Sequence, residues 1–268
     1  MTDMSQPDND CTTLSFCLLA SGSKGNAIHV SDGETALLFD AGLSGVDIER
    51  RMAARGLDPK DLDAIVVSHE HHDHIQGVGV LSRRFDLPVY ISRETEKAAY
   101  RLGKLKETRY FVCGTSFDLR RLRIHPFSIA HDADDPAGFT VSRGDVKIGI
   151  ATDMGVATGM VRIHLKGCSA LVLEANHDPE MLVNGPYSWP LKQRIQGRTG
   201  HLSNPDTMAL LKELANDRLR EVVLAHLSET NNTPEKALAT VGPALCGRST
   251  HLQAACQDRP SPIFRITC

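Results

Sequence analysis

Ser68-His69-Glu70-His71-His72-Asp73-His74 packs four histidines and two carboxylates into seven consecutive residues. Imidazole and carboxylate are the donors that borderline and hard divalent cations take. In the order His69, His71, Asp73, His74, the first two rings can serve one cation, which leaves Asp73 and His74 for a second. Three more polar residues each follow an apolar run: His131 after residues 127–130, Asp153 after 148–152 and His226 after 222–225. One cation would take His69, His71 and His131, and the other Asp73, His74 and His226. Asp153, with two oxygens, could bridge them. Two such ions roughly 3.5–4 Å apart can hold a bridging hydroxide near neutral pH and clamp a phosphodiester. A His-rich loop in solvent would need neither a strand to deliver it nor matching donors far downstream.

The elements that must hold these donors are readable around them. An apolar run at 64–67 precedes the cluster, so a strand ends where the histidines begin. Further strands are expected at 14–19, 27–30, 35–39, 89–91, near 110–113, 122–129, 138–142, 146–151, 170–173 and 221–225, with Asp32-Gly33 turning a hairpin. Helices are expected at 46–55, stopped by Gly56, at 93–102 with Ser92 as cap, at 205–216 with Asn204 as cap, and after Thr233-Pro234. Residues 179–200 read as irregular, and 250–256 with 262–267 as a terminal hairpin. Strands and helices alternate, which argues for an α/β layered fold. With no repeat, low-complexity tract or linker, residues 1–12 are expected as a flexible tail and 13–268 as a single domain.

Composition narrows the class. At 41% hydrophobic and 24% charged residues with a net charge of −3, the chain has a core and no global charge that would attract nucleic acid, so an anionic substrate must be held locally. Seven cysteines without a C-x-x-C pair read as reduced thiols of a cytoplasmic protein. No apolar segment suits a secretory signal or a membrane span.

Taken with these donors, the chain resembles the metallo-β-lactamase fold superfamily over about residues 14–265. The segments 20–26, 40–44, 68–74, 131–133, 173–178, 200–204 and 225–228 resemble its YycJ/WalJ-type branch. The resemblance implies a four-layer αββα sandwich with a dinuclear site at the sheet edges. It also implies a metal-dependent hydrolase, a 5′-to-3′ exonuclease on DNA rather than RNA. Its relatives include cyclic phosphodiesterases and the tRNA-processing ribonuclease Z. Zinc is the first expectation for the metal, with manganese and iron as alternatives.

Other residues carry weaker signals. His201 stands ahead of a helix start at Pro205, where free N–H groups and the dipole favour anions. It could contact a phosphoryl oxygen or protonate a leaving group, and it is expected, with Asp73, in catalysis. Asp40 follows a strand and is expected to hydrogen-bond the loop or donors of the histidine cluster. Ser21, Ser23 and Asn26 lie in a turn rich in small residues that could cradle phosphate or simply turn the chain. Ser203 could touch substrate or cap the helix. Glu174 and His177, at a strand end, could be functional or ordinary satisfied polar groups. Basic residues at 93, 97, 101, 104, 106 and 109 could line one face for a phosphate backbone or be solvated surface. Tyr187 and Trp189 could stack bases or pack.

Two other functions compete. The same metal chemistry could open a small ester, as in a glyoxalase-type thioesterase or a lactonase, although a terminal hairpin weighs against the helical C-terminal region common in such thioesterases. A cyclic phosphodiesterase of small molecules is a further alternative. A metal-dependent scaffold without turnover is the non-enzymatic possibility, and the complete donor set with His201 argues against it. Oligomeric state is not readable.

Overall fold

The computed structural model describes residues 12–268, so the tail expected over residues 1–12 falls outside the described residues except for Thr12. Among the described residues, fourteen strands form two seven-stranded sheets. In the first, β1 (Thr13–Ala20), β2 (Ala27–Ser31), β3 (Ala36–Phe39), β4 (Ala64–Val66), β5 (Pro88–Ile91) and β6 (Glu107–Tyr110) lie side by side in chain order. The second runs β7 (Phe117–Leu119), β8 (Leu122–Ser128), β9 (Ala137–Arg143), β10 (Val146–Ala151), β11 (Ala170–Glu174), β12 (Glu221–Ala225) and β13 (His251–Ala254). The last strand, β14 (Phe264–Thr267), returns to the first sheet beside β1.

Side chains alternate faces along a strand, and both faces here are apolar. On β1, Leu14, Phe16 and Leu18 meet Phe139, Ile148 and Val172 of the other sheet in a shared core. Cys17 and Leu19 point the opposite way, toward Ile48 and Met52 of helix α1 (Gly45–Ala53). The second sheet does the same: Val223 faces the inner core, while Val222 and Leu224 pack with helices α5 (Gly159–Leu165), α8 (Asn204–Leu214) and α9 (Pro234–Val241). Helices α2 (His72–Ile75), α3 (Val78–Arg84) and α4 (Arg93–Ala98) complete the outer layer of the first sheet. Alternation buried on both faces of two stacked sheets produces the expected αββα layers. Among the described residues no helix is long and apolar enough to cross a membrane.

Several local expectations need correction. Residues 179–200 are not irregular: Asp178 caps α6 (Pro179–Asn184) by accepting from Met181 N, and Ser188 precedes α7 (Trp189–Gln196) with a proline in its first turn. Helix α5, capped by Thr158, and strand β7 were not expected. The cap of α8 is Ser203, one residue before Asn204, whose amide instead bonds Asn232. Helix α4 ends at Ala98, so the basic residues from 93 to 109 do not share a helical face. Several are paired instead: Lys97 with Glu94, Lys106 with Asp86, and Arg109 with Glu107.

The terminal hairpin does not form. β13 pairs parallel with β12, whereas β14 pairs antiparallel with β1, with Phe16 opposite Phe264. Pro260 and Pro262 lack the N–H groups a ladder needs between the two strands. Ser261 between them bonds Leu18 instead, through both backbone and hydroxyl. The chain therefore crosses from one sheet to the other, and the hairpin no longer weighs against an ester hydrolase.

Candidate metal centre

The donors are delivered by strand ends on both sheets. β4 ends at Val66 and the histidine cluster follows, turning into α2 at His72. Asp40 just after β3, Asp153 just after β10 and His226 just after β12 all adopt left-handed backbone conformations, with φ of 58°, 59° and 55°. Such conformations cost about 1–3 kcal/mol at a non-glycine residue and persist only where surrounding structure imposes them. Gly42 allows the first loop to close on the cluster: a Cβ there would lie 1.6 Å from Asp73 O.

His69, His71 and His131 each offer a nitrogen within 4.8 Å of the others, and so do Asp73, His74 and His226 through their donor atoms. Asp153 joins the second trio, its two oxygens each 3.4 Å from a ring nitrogen, Nε2 of His74 and Nε2 of His226. All seven residues singled out in the sequence thus converge. Glu70 and His72 do not: Glu70 accepts from Asp134 N, and His72 is exposed.

The hydrogen bonds around the rings fix which nitrogen faces inward. Asp40 accepts from Ser68 N and the Ser68 hydroxyl at 2.8 Å, and from His74 Nδ1 at 2.8 Å. The Ser68 hydroxyl lies 2.9 Å from His69 Nδ1. His131 Nδ1 points at the carbonyls of Thr199 and Gly200, and His226 Nδ1 at Glu174. With each Nδ1–H donated outward, the Nε2 lone pairs face the centre. His71 Nδ1 then stands 3.2 Å from both His69 Nε2 and His131 Nε2. A proton on His71 Nδ1 could serve only one of these two acceptors, whereas a single cation among the three nitrogens would satisfy all of them. Buried His226 Nε2 and Asp153 Oδ2 have no hydrogen-bond partner, which fits the same occupant.

Charge points the same way. Burial disfavours a charged His226 ring, but Asp153, Asp73 and Glu174 overcome it and push its pKa up to about 10. His74 also rises despite burial, through Asp153, Asp40 and Asp73. Burial opposes ionisation of Glu174 as well, yet His201 and His226 hold it down to about 2. The pocket of carboxylates favours positive charge, which a cation held among these donors would supply.

Glu174 is the residue that sequence reasoning undervalued. Fully buried, it accepts from Met154 N and Leu202 N with Oε2, and meets His201 Nδ1 at 2.7 Å and His226 Nδ1 at 3.0 Å with Oε1. Its position at the end of β11, matching those of Asp153 and His226, was the available signal. A cavity of about 200 Å³ opens beside the centre, lined by Ser23, Asp132, Asn176, Tyr187, Leu191, Arg194, Ile195, Gly200, His201, His226, Leu227 and Ser228. Of Ser21, Ser23, Asn26, His177 and Ser203, Ser23 alone lines it; His201 and Tyr187, also expected near substrate, line it as well. Ser21 accepts from His226 N, and Asn26 bonds Gly22 and reaches Asp73 and His74. Ser203 caps α8, and His177 is buried outside the lining. Ser21, Asn26 and Ser203 are turned to backbone or cluster groups, whereas buried His177 Nδ1 has no hydrogen-bond partner.

A β-lactamase superfamily domain matches residues 35–227. The chain belongs to the β-lactamase superfamily. Within it, the chain is 37% identical to exodeoxyribonuclease YycJ of Bacillus anthracis over 235 residues, covering 87% of this chain and 89% of that one. It is 38% identical to exodeoxyribonuclease WalJ of Streptococcus pneumoniae serotype 2 over 233 residues, covering 84% and 86%. Among solved structures, the metallo-β-lactamase fold protein YhfI from Bacillus subtilis superposes with a TM-score of 0.72, covering 95% of this chain and 99% of that one at 16% identity, a likeness of fold. This β-lactamase-superfamily chain, of the YycJ/WalJ branch, is accordingly a metal-dependent hydrolase, with His and Asp clusters that could hold divalent metal.

Proposed function

We propose that this protein is a phosphodiesterase that holds two divalent cations and degrades DNA from a 5′ end, with residues 13–268 acting as a single hydrolase domain. The observation that carries the reading is the convergence of seven donors beside a cavity that His226, one of them, lines together with His201. The relatives named exodeoxyribonuclease supply the substrate class. His69, His71 and His131 would hold one ion, Asp73, His74 and His226 the other, with Asp153 between. Zinc is the first candidate, with manganese and iron next, since mixed imidazole and carboxylate sites accept all three. Bound there, the cations would supply Lewis acidity at phosphate and a water acidic enough to act as nucleophile near neutral pH. Free thiols at Cys17, Cys113 and Cys168 fit a reducing cytoplasm.

The chain's own groups do the rest. Asp40, Ser68 and Glu174 take Nδ1–H from His74, His69 and His226, and so hold each Nε2 in one direction. Glu174 also takes Nδ1–H of His201, which leaves His201 Nε2 for the cavity. There a protonated His201 can bond a phosphoryl oxygen or give its proton to the oxygen leaving phosphorus. Cleavage of 5′-labelled single-stranded and duplex DNA by metal-loaded protein, abolished by a chelator, is the test. Protein that opens thioesters or lactones but leaves every phosphodiester intact would sink the reading.

A further inference from the structure

Helix α7 and the turn before it carry apolar side chains that serve no core. Leu191 and Ile195, four residues apart, share one face of the helix, and Tyr187 stands in the turn just ahead of its Ser188 cap. None of the three belongs to an apolar core cluster, and all three line the cavity beside the metal centre. Apolar side chains gathered on one side and left half-buried over a catalytic cleft are binding surface rather than packing.

This apolar group is mechanically tied to the centre. His201 N donates to Ile195 O at 2.9 Å, and His131 Nδ1 contacts the carbonyls of Thr199 and Gly200 just beyond the helix. Gly200 permits that approach, since a Cβ there would lie 2.2 Å from the carbonyl oxygens of Arg194 and Ile195. Lys192 Nζ bonds Val183 O and so locks α7 to α6. At the mouth, Asp132 holds Arg194 through Nε at 2.6 Å. Across the cavity stand Asn176, His226, Leu227 and Ser228. The cavity therefore has an apolar wall, a polar edge, and reacting groups at one end.

At about 200 Å³ it is smaller than the roughly 300–1,000 Å³ of ordinary small-molecule sites. We propose that it takes the base of the terminal nucleotide, stacked on the Tyr187 ring against Leu191 and Ile195, so that the adjoining phosphodiester lies at the metal centre. This assignment rests on the phosphodiesterase reading. A flat aromatic platform suits any base, since each has a π-face, and gives grip without sequence preference. One enclosed base next to the scissile bond also accounts for removal of nucleotides from an end.

Trp189 gives a readout that does not depend on turnover. It is the sole tryptophan, it opens α7, and it is 60% exposed. Its fluorescence in metal-free protein is followed during titration with a short single-stranded oligodeoxynucleotide, and with the same molecule carrying an abasic 5′ residue. Wild-type dissociation constants should differ by about tenfold in favour of the intact end. The two constants should converge in Tyr187→Ala, and Tyr187→Phe should restore the gap. In metal-loaded protein the same pattern should appear in KM rather than kcat. Equal binding of both ends by wild type, or a gap that survives Tyr187→Ala, would overturn the base pocket alone, so long as metal-loaded protein cleaves DNA. Cleavage of neither oligonucleotide would remove the phosphodiesterase reading and the pocket together.

Discussion

Glu174 Oε1 lies 2.7 Å from His201 Nδ1 and is shared with His226 Nδ1 at 3.0 Å. One buried carboxylate therefore aims both a proposed metal donor and the proposed proton donor. The amide of Glu174→Gln would turn an NH₂ toward rings that themselves donate. Activity should fall by roughly 10- to 100-fold, with a matching loss of metal affinity, and stability by about 1–3 kcal/mol. Turnover, metal content and thermal unfolding measured on one preparation would check this, and an unchanged kcat would show that His201 needs no such orientation.

Metal content should separate the two halves of the centre. Elemental analysis should find about two ions per wild-type chain, and about one in each of His131→Ala and Asp73→Ala. His131 and Asp73 fall in different donor trios. A single ion in wild type, or no loss in either variant, would contradict the assignment.

Gly42→Ala should be disproportionately harmful. Its Cβ would collide with Asp73 O, a backbone atom that cannot swing aside, at 1.6 Å. A loss of about 3 kcal/mol in stability is expected, accompanied by weaker metal binding as Asp73 shifts. Denaturant unfolding of both proteins reports the first and a competing chelator the second.

Glu221 makes a pH-dependent contribution far from the metals. Burial raises its pKa to about 7 from 4.5, against a hydrogen bond from Gln253. The folded state thus holds the proton more tightly than the unfolded one. Stability from this group is complete below pH 4.5 and drains away as pH rises to about 7. Glu221→Gln should match wild type in acid and exceed it above neutrality by about 2 kcal/mol. Unfolding curves at acid and alkaline pH would reveal the crossover, and a constant offset would refute it.

The donor set was legible because its members are chemically distinctive and each follows an apolar strand. The layered fold was legible for a related reason, the repeated alternation of such strands with helices. Glu174 was harder to read, since a lone glutamate at a strand end has no spaced partner in the sequence and its worth appears only when β11 lies between β10 and β12. Helix α7 was obscured by a proline in its first turn and by an apolar pair too short to register against polar neighbours, although Leu191 and Ile195 held the spacing. The terminal hairpin failed because adjacency in sequence is only a guide to adjacency in a sheet, and Pro260 and Pro262 were the warning. Ser21, Asn26 and Ser203 are polar residues near the chemistry that are engaged by His226 N, by Gly22, Asp73 and His74, and by Asp206, a distinction that types and order do not carry.

The crossing of the chain from β13 to β14 has a bearing on biosynthesis. Gln257, in that crossing, bonds Lys24 N and Gly25 O, and Phe264–Thr267 close the open side of β1. A ribosome must therefore deliver the chain through Gln257 and Thr267 before the loop beside Asp73 and His226 can be clasped. Until then the first strand offers a bare edge to neighbouring nascent chains, and an unfinished product is left without the brace that sets its cutting apparatus.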